Sequence, residues 1–449
     1  MRIGLKIIVL TFIFFLLILL SNHVFAQSEL KEKTIDEQQK IVLSVFRSFG
    51  EDSARELSLF LRKKNIERKG REKLEIYLKI NQYDSITSID LSDCSLERFP
   101  DFLFECKNLK SVDLTNNQLE EIPKKLKNLV SLQRIILDGN NLEGRKFRMH
   151  GNRSVSELSL ARNHLSKLPK GIRKFKNLEK LDLATNQFES LPKQVNSFKK
   201  LKSITLDGNS HMTFEKMNHR RLGGLESLYA SKMDWEEIPE VICELENLQK
   251  LILRENRITK IPDRFGKLQH LKELSLYQNE LKALPSSFFT ITELQDLDLF
   301  YNQLAEIPAE ISNFKNLSIL YLSFNKIQYL PETIGDMNLD AIYVHHNRLT
   351  SLPRSISQLS NLRTIRFNEN SFATFPEQLL TIGSLTYIDA SQNPIESLPI
   401  QLKTLGNLEL FASDKSLYED ETPYQLENQE VRQALFDQGV EIYLKSPNE

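Results

Sequence analysis

Cysteine is scarce in this chain, three residues in 449, and tryptophan occurs once. Three is an odd number, so at least one thiol stands outside any pairing. Neither sign of charge is in surplus, with 59 basic and 60 acidic residues and a net charge of −1. That balance argues against nucleic acid as the main partner, because phosphate binding favours a basic excess. The chain has no glycine-rich phosphate loop, no H-E-x-x-H and no paired C-x-x-C. No nucleophile–base pattern emerges either, so no catalytic residue, metal ligand or cofactor is assigned. Long apolar runs are limited to one, Ile7 to Leu20. At 14 residues it is short for a membrane span, which needs about 20. Arg2 and Lys6 precede it and Val24-Phe25-Ala26 follows as an A-x-A-like cleavage site. Residues 1–26 therefore read as a secretory signal peptide, with membrane attachment only if it stays uncleaved.

What the chain has in abundance is one pattern. In Leu294 to Asn316 apolar residues fall at positions 1, 4, 6, 11, 14, 18 and 21, with Asn302 at position 9 and Pro308 at position 15. The next unit opens at Leu317 and the previous one at Leu271. Fourteen such units start at Ile86, Leu109, Leu132, Val155, Leu178, Leu201, Leu225, Leu248, Leu271, Leu294, Leu317, Leu339, Leu362 and Leu385. Position 9 is Asn in all but two, where Cys94 and Met233 stand, and twelve of the fifteen prolines occupy position 15. A fixed period of this size is the mark of a stacked array. The L-x-L alternation predicts a short strand with its leucines on one side. Asn can turn the chain out of that strand through its side-chain amide. Proline, lacking a donor, ends the ladder there. No unit buries its leucines alone, so units must stack.

This L-x-x-L-x-L-x-x-N-x-L pattern resembles the leucine-rich-repeat family in its short L-P-x-x-I/L form, as found in bacterial exported members. The resemblance implies an α/β leucine-rich-repeat solenoid, a horseshoe or superhelix. Its parallel β-sheet would line the concave face, with short helical or irregular arcs outside. It also implies that the position-9 asparagines stack as a ladder. The expected organisation is a signal peptide over 1–26, a helical N-terminal cap over 27–85, repeats over 86–407 and a C-terminal cap over 408–449. In the N-terminal segment Ile35, Ile41, Val42, Val45, Phe46 and Phe49 form a helical apolar stripe. The basic run from Arg62 to Arg71 reads as a solvated helix edge. At the other end Tyr424 to Phe436 reads as an amphipathic helix carrying Leu426, Val431 and Leu435, and Val440 to Leu444 as a last strand.

Three units depart from the norm. The Leu132 unit has Arg145-Lys146 where Leu-Pro should stand, the Leu201 unit spans 24 residues without the proline, and the Leu317 unit is one residue short. Cys94 and Cys106 share a unit and either pair or stand as reduced core thiols. Cys243 lies six units on, roughly 29 Å away at about 4.8 Å per strand step, and should be a free thiol. Asp90 and Asp113 hold position 5 in successive units and read as solvated neighbours rather than a cation site. The adjacent His345 and His346 point to opposite sides of a strand and make a poor chelate. Trp235, at an apolar position, reads as core.

The candidate site lies on the sheet face opposite the leucines, at positions 3, 5, 7 and 8. In the first six units none of these is aromatic. In the four units from Leu271 six of sixteen are: Tyr277, Phe300, Tyr301, Tyr321, Phe324 and Tyr343. Tyr229 precedes them, and Arg254, His345 and Arg366 are expected at the rim. Tyr and Arg dominate binding energy at interfaces, and contiguous exposed aromatics mark interaction sites. The expectation is a non-enzymatic, exported protein whose concave face binds a protein or peptide, with a glycan second. The source would be a host or cell-surface protein. The alternative is an envelope-anchored scaffold or a regulator of an enzyme, with the N-terminal segment as effector.

Overall fold

The computed structural model describes residues 87–143, 151–419 and 423–446, except the side chain of Phe102. The expected signal peptide (1–26), the expected helical cap (27–85) and the Arg145-Lys146 irregularity lie outside these residues. The described chain falls into two compact units, divided near residues 143–155.

The first unit carries β1 (Ser88–Asp90), β2 (Ser111–Asp113) and β3 (Arg134–Ile136), paired in parallel and in order. Asp90 and Asp113 are register neighbours, yet each carboxylate accepts from its own turn. Asp90 takes the Ser92 amide at 3.0 Å and hydroxyl at 2.7 Å, and Asp113 takes those of Thr115 at 2.9 and 2.6 Å. They brace turns rather than share a cation. In the irregular Leu132 unit the buried Asn152 closes the arc by donating to the carbonyls of Leu126 at 2.9 Å and Leu129 at 2.7 Å. The Cys94 thiol donates to the Ser92 carbonyl at 3.3 Å, and Cys106 is buried.

The second unit holds thirteen strands. They are β4 (Glu157–Ser159), β5 (Lys180–Asp182), β6 (Ser203–Thr205), β7 (Ser227–Tyr229), β8 (Lys250–Ile252), β9 (Glu273–Ser275) and β10 (Asp296–Asp298). Then come β11 (Ile319–Tyr321), β12 (Ala341–Tyr343), β13 (Thr364–Arg366), β14 (Tyr387–Asp389), β15 (Leu410–Asp414) and β16 (Glu441–Lys445). From β4 to β16 each strand pairs in parallel with the next, so within this unit the strand order is the chain order. A typical strand is three residues with the central one buried, as in Asp296-Leu297-Asp298. One leucine side of each strand faces the core and the other face stays open.

The turns follow from two residues per repeat. Asn302 is buried, and its amide donates to Leu276 O at 2.9 Å in the preceding repeat and to Leu299 O at 3.2 Å in its own. Its carbonyl accepts the Leu281 amide at 3.1 Å. Asn325 repeats the arrangement one step on, bonding Leu299 O and Leu322 O, both at 3.0 Å. This is the expected ladder. At position 15 Pro308, with φ −62° and ψ 153°, precedes a 3₁₀ turn over Ala309–Asn313. Its carbonyl accepts from the Ile311 amide at 3.1 Å. The arcs are thus single 3₁₀ turns, and Phe265, Phe288, Phe289 and Phe314 pack edge and face beneath them.

One regularity escaped the sequence reading. Position 8 adopts a left-handed backbone in every described repeat, with φ between 52° and 57° at Asp93, Asn116, Arg162, Thr185, Lys232, Glu255, Gln278, Tyr301, Phe324, His346, Glu369 and Gln392. Only Gly139 and Gly208 meet this requirement without a Cβ.

At the C-terminal end α1 (Ser416–Glu419) and α2 (Gln425–Asp437) lead into β16. Val431 and Leu435 are buried as expected, but Leu426 is 80% exposed and Asn428 takes the third inward place. The Asn428 amide donates to Glu396 O and Leu417 O, so a polar residue seals the last repeat where an apolar one was anticipated. Among the described residues no helix is long and apolar enough to cross a membrane.

Candidate functional site

The open face of β9 to β13 gathers the aromatic side chains because position 7 and position 8 recur at one strand step. Two columns result. Tyr277 and Phe300 stack at position 7, with centroids 6.0 Å apart and planes within 17°. Tyr301 and Phe324 stack at position 8, at 4.0 Å and 18°. The columns lock together, since Phe300 lies 4.9 Å from Tyr301 and 5.1 Å from Phe324. On the strands themselves Tyr321 and Tyr343 are register partners at position 5 and stack at 5.3 Å with planes 4° apart. Ile319 and the buried Ala341 lie beside them at position 3. Tyr301 is exposed by 40%, and the other five aromatics are half-buried, mainly by one another.

Near-parallel rings with centroids about 5–6 Å apart are offset from one another rather than fully overlapped. At 4.0 Å the Tyr301–Phe324 pair comes close to face-to-face, while at 5.3 and 6.0 Å the other two pairs are stacked with an offset. Offset stacking leaves part of each ring face uncovered as well as the ring edges. Edges carry the positive part of the ring quadrupole, which favours oxygen acceptors. Burial raises the Tyr321 hydroxyl pKa above its ordinary value, helped by Tyr343, Asp298 and Asp296 nearby. That hydroxyl stays protonated and can donate.

The residues expected at the rim are placed less uniformly. Arg254 flanks the surface, its Nε donating to Ser275 Oγ at 2.8 Å while Ser275 Oγ donates to Asp298 at 2.9 Å. Arg366 is the register partner of Tyr343 and lies 3.3 Å from the buried Asp389. Its Nε and the Asn368 Oδ1 are buried without a hydrogen-bond partner among the described residues. His345 is not at the rim. It is buried, with Phe300 at 5.5 Å and Phe324 at 5.4 Å over it and Nδ1 2.7 Å from Ser323 Oγ. Burial, then the Arg366 charge, lowers its pKa to about 4, so it is a neutral floor to the surface. Tyr229 stands apart: Ile252, Ser275 and Asp298 separate it from Tyr321 in the same column. Lys250 Nζ sits 5.6 Å from its ring instead.

Sequence reasoning missed His346, whose ring meets Phe324 at 4.0 Å and whose Nδ1 pairs with Glu369 at 2.5 Å. Its place at position 8, next after Phe324, is the signal that could have found it. Tyr387 at position 3 of β14 was also outside the expected window. A second concavity of about 570 Å³ lies where the 24-residue repeat bulges, over Met212, Phe214 and Trp235. The Trp235 indole is spoken for, edge-on to Phe214 at 5.2 Å and donating to Met212 O at 2.9 Å. Among the described residues no group of three His, Cys, Asp or Glu could hold a metal.

Comparison with known proteins bears on the repeat. A leucine-rich-repeat family model matches residues 84–142, 153–210 and 246–304. A leucine-rich-repeat protein of Leptospira interrogans is 26% identical, with TM-score 0.67 over 80% of this chain and 96% of that one. An internalin of Listeria monocytogenes shares the fold at 17% identity and TM-score 0.54, over 76% of this chain and 95% of that one. So does the Toll chain of the Drosophila Toll–Spatzle complex, at 23% identity and TM-score 0.61, over 71% and 46%. No curated protein sequence matches. Its period, its asparagine ladder, its parallel strands and these matches together show that the chain is built of leucine-rich repeats.

Proposed function

We propose that this chain is a non-enzymatic, exported binding protein that takes a protein or peptide on the open face of its sheet, over the rings from Tyr277 to Tyr343. The observation that carries this reading is the self-stacked aromatic surface itself. Six rings from four consecutive repeats gather on one face, four of them interlocked and Tyr321 and Tyr343 stacked as a pair. Such a surface is rigid before binding, so little ordering is lost when a partner arrives. Its area suits a hot spot within a larger contact.

Ring geometry favours polypeptide over sugar. A sugar stacks on free ring faces, and here each face is partly covered by its stacked neighbour. Peptide carbonyls, by contrast, suit ring edges and phenol hydroxyls. Export rests on the signal-like residues 1–26. An envelope-anchored scaffold or an enzyme regulator would use the same face, with a different source of partner. Toll was solved with Spatzle on the same fold, but at 23% identity that likeness carries the architecture alone.

The test is a triple change, Phe300→Ser, Tyr321→Ser and Tyr343→Ser, beside a control at Ser111, Asp182 and Thr205. Pull-downs from host-surface and from envelope extracts are run with each. A partner retained by the control and lost by the aromatic triple supports the reading. A partner that survives the aromatic triple, with the far-UV spectrum unchanged, places the site elsewhere. Cell fractionation with N-terminal sequencing of the mature chain distinguishes release from anchoring.

A further inference from the structure

We propose that a second copy of this chain docks on the free edge of β16, the two strands running antiparallel about a two-fold axis at Tyr443. Among the described residues β16 is the last strand of the order and pairs with β15 alone. The Glu441 amide donates to Glu409 O at 2.8 Å, and Lys445 O accepts from the Lys415 amide at 2.9 Å. Residues 441 and 445 thus turn their main chains towards β15. By the alternation of a strand, Ile442 and Leu444 turn theirs outward. Two donors and two acceptors are left at an open edge, and only another strand satisfies them in register.

The sequence of the strand, Glu441-Ile442-Tyr443-Leu444-Lys445, is complementary to its own reverse. With the axis at Tyr443, Glu441 faces Lys445 of the second copy, Ile442 faces Leu444, and Tyr443 faces itself. Each charged pair occurs twice, as an isologous contact requires. The hydrogen-bonded positions fall on Ile442 and Leu444, the two residues whose main chains point out. Moving the axis by one residue, to Ile442 or Leu444, keeps that condition but opposes Glu441 or Lys445 to tyrosine. Lys445 Nζ lies 3.3 Å from Asp389 on β14, two strands inward, so its side chain must swing out to the edge to meet Glu441 of the second copy.

Apolar surface collects at the same end. Tyr443 is 53% exposed and Phe436, on the last turn of the helix that packs against β16, is 68% exposed. Pro447 follows two residues after the strand and cannot extend the ladder, so the pairing is limited to this short segment. None of these residues belongs to the aromatic surface described above, so the two faces can be occupied independently.

The experiment uses the full chain. Sedimentation equilibrium over a concentration series should give a monomer–dimer equilibrium, and Glu441→Lys should weaken it about tenfold by opposing like charges twice. Tyr443→Cys places two thiols across the axis at a non-hydrogen-bonded pair, close enough to bridge. Mild oxidation with copper phenanthroline should therefore yield a covalent dimer, whereas Val130→Cys, exposed elsewhere by 73%, should stay monomeric. A single monomer mass at every concentration overturns the proposal. So does a dimer that Glu441→Lys leaves unchanged and that Tyr443→Cys fails to cross-link.

Discussion

Replacing Asn302 by Leu isolates what one rung of the ladder contributes. The side chain is only 8% exposed, so water cannot take over its bonds. Four main-chain groups lose a partner, but not equally, and the longest contact, to Phe300 O at 3.4 Å, leaves that carbonyl its Gln278 amide at 2.9 Å. Leu276 O keeps the Asn279 amide at 3.1 Å, and Leu299 O keeps that of Asn325 at 3.0 Å. The Leu281 amide, bonded only to Asn302 Oδ1 at 3.1 Å, is left with nothing. An orphaned buried donor costs about 1–3 kcal/mol and each thinned carbonyl about 0.5 kcal/mol, giving a destabilisation of about 2–4 kcal/mol. Gln303→Leu is the control, since Gln303 is half-exposed and only accepts from Lys326 Nζ at 3.2 Å, so it should cost under about 0.5 kcal/mol. Urea titration followed by circular dichroism gives the two midpoints. Hydrogen exchange over residues 276–304 should show faster exchange at Leu281 in the Asn302 variant. Equal midpoints for the two variants, or unchanged protection at Leu281, would refute the sharing argument.

Other outcomes follow from features already in view. His345 has its pKa lowered to about 4, from an ordinary 6.5, chiefly by burial. The unfolded chain then binds a proton that the folded one refuses, so stability from this residue is present above pH 6.5 and is lost as pH falls towards 4. A His345→Gln variant should show a flatter acid limb in thermal unfolding across that window. Cys243 is buried and its thiol is pushed up to about 11, first by burial and then by Glu240 and Glu244. Iodoacetamide at neutral pH should leave it unmodified in the folded chain and alkylate it in urea, as mass spectrometry of its peptide will show. Gln278→Gly removes a Cβ from a left-handed position, φ 54°, and should raise stability by about 0.5–1 kcal/mol in the same titration. Deleting residues 248–270, one whole repeat, should leave a folded, shorter array with its circular dichroism per residue unchanged.

Much of the fold was legible because the repeat states it many times over. Asn at position 9 and Pro at position 15 mark where the strand ends and where the 3₁₀ turn starts, and both hold at Asn302 and Pro308. The left-handed place at position 8 was not legible. Glycine would have announced it, but glycine stands there only at 139 and 208, and the closed ladder forces the conformation on the rest. At the site, the spacing of Tyr277, Phe300 and Tyr321 was enough to put them on one face. Spacing does not say whether neighbouring rings turn their faces outward or to each other, because that depends on side-chain torsions. Nor does it show that His345 sinks beneath two phenylalanines, which follows from how far the flanking rings lean. Leu426 was misplaced for a simpler reason. The helical stripe has two ways round, and the amide of Asn428 found carbonyls at the end of the array that a leucine could not satisfy.

The left-handed place has a consequence for how such a chain can change over time. Its backbone conformation is dictated by hydrogen bonds of neighbouring repeats, for instance Tyr301 N to Ser323 O at 3.1 Å and Phe324 N to His345 O at 3.0 Å. The side chain there contributes little to that dictation, and Asp, Arg, Thr, Lys, Gln, Tyr, Phe and His all occur. Because no particular side chain is required there, an exchange costs only the difference in left-handed strain, least for Asn and Asp and most for a β-branched residue such as Thr. Position 8 is therefore a row of sites where mutation can alter recognition while the scaffold scarcely responds, and rows of that kind let new specificities arise one substitution at a time.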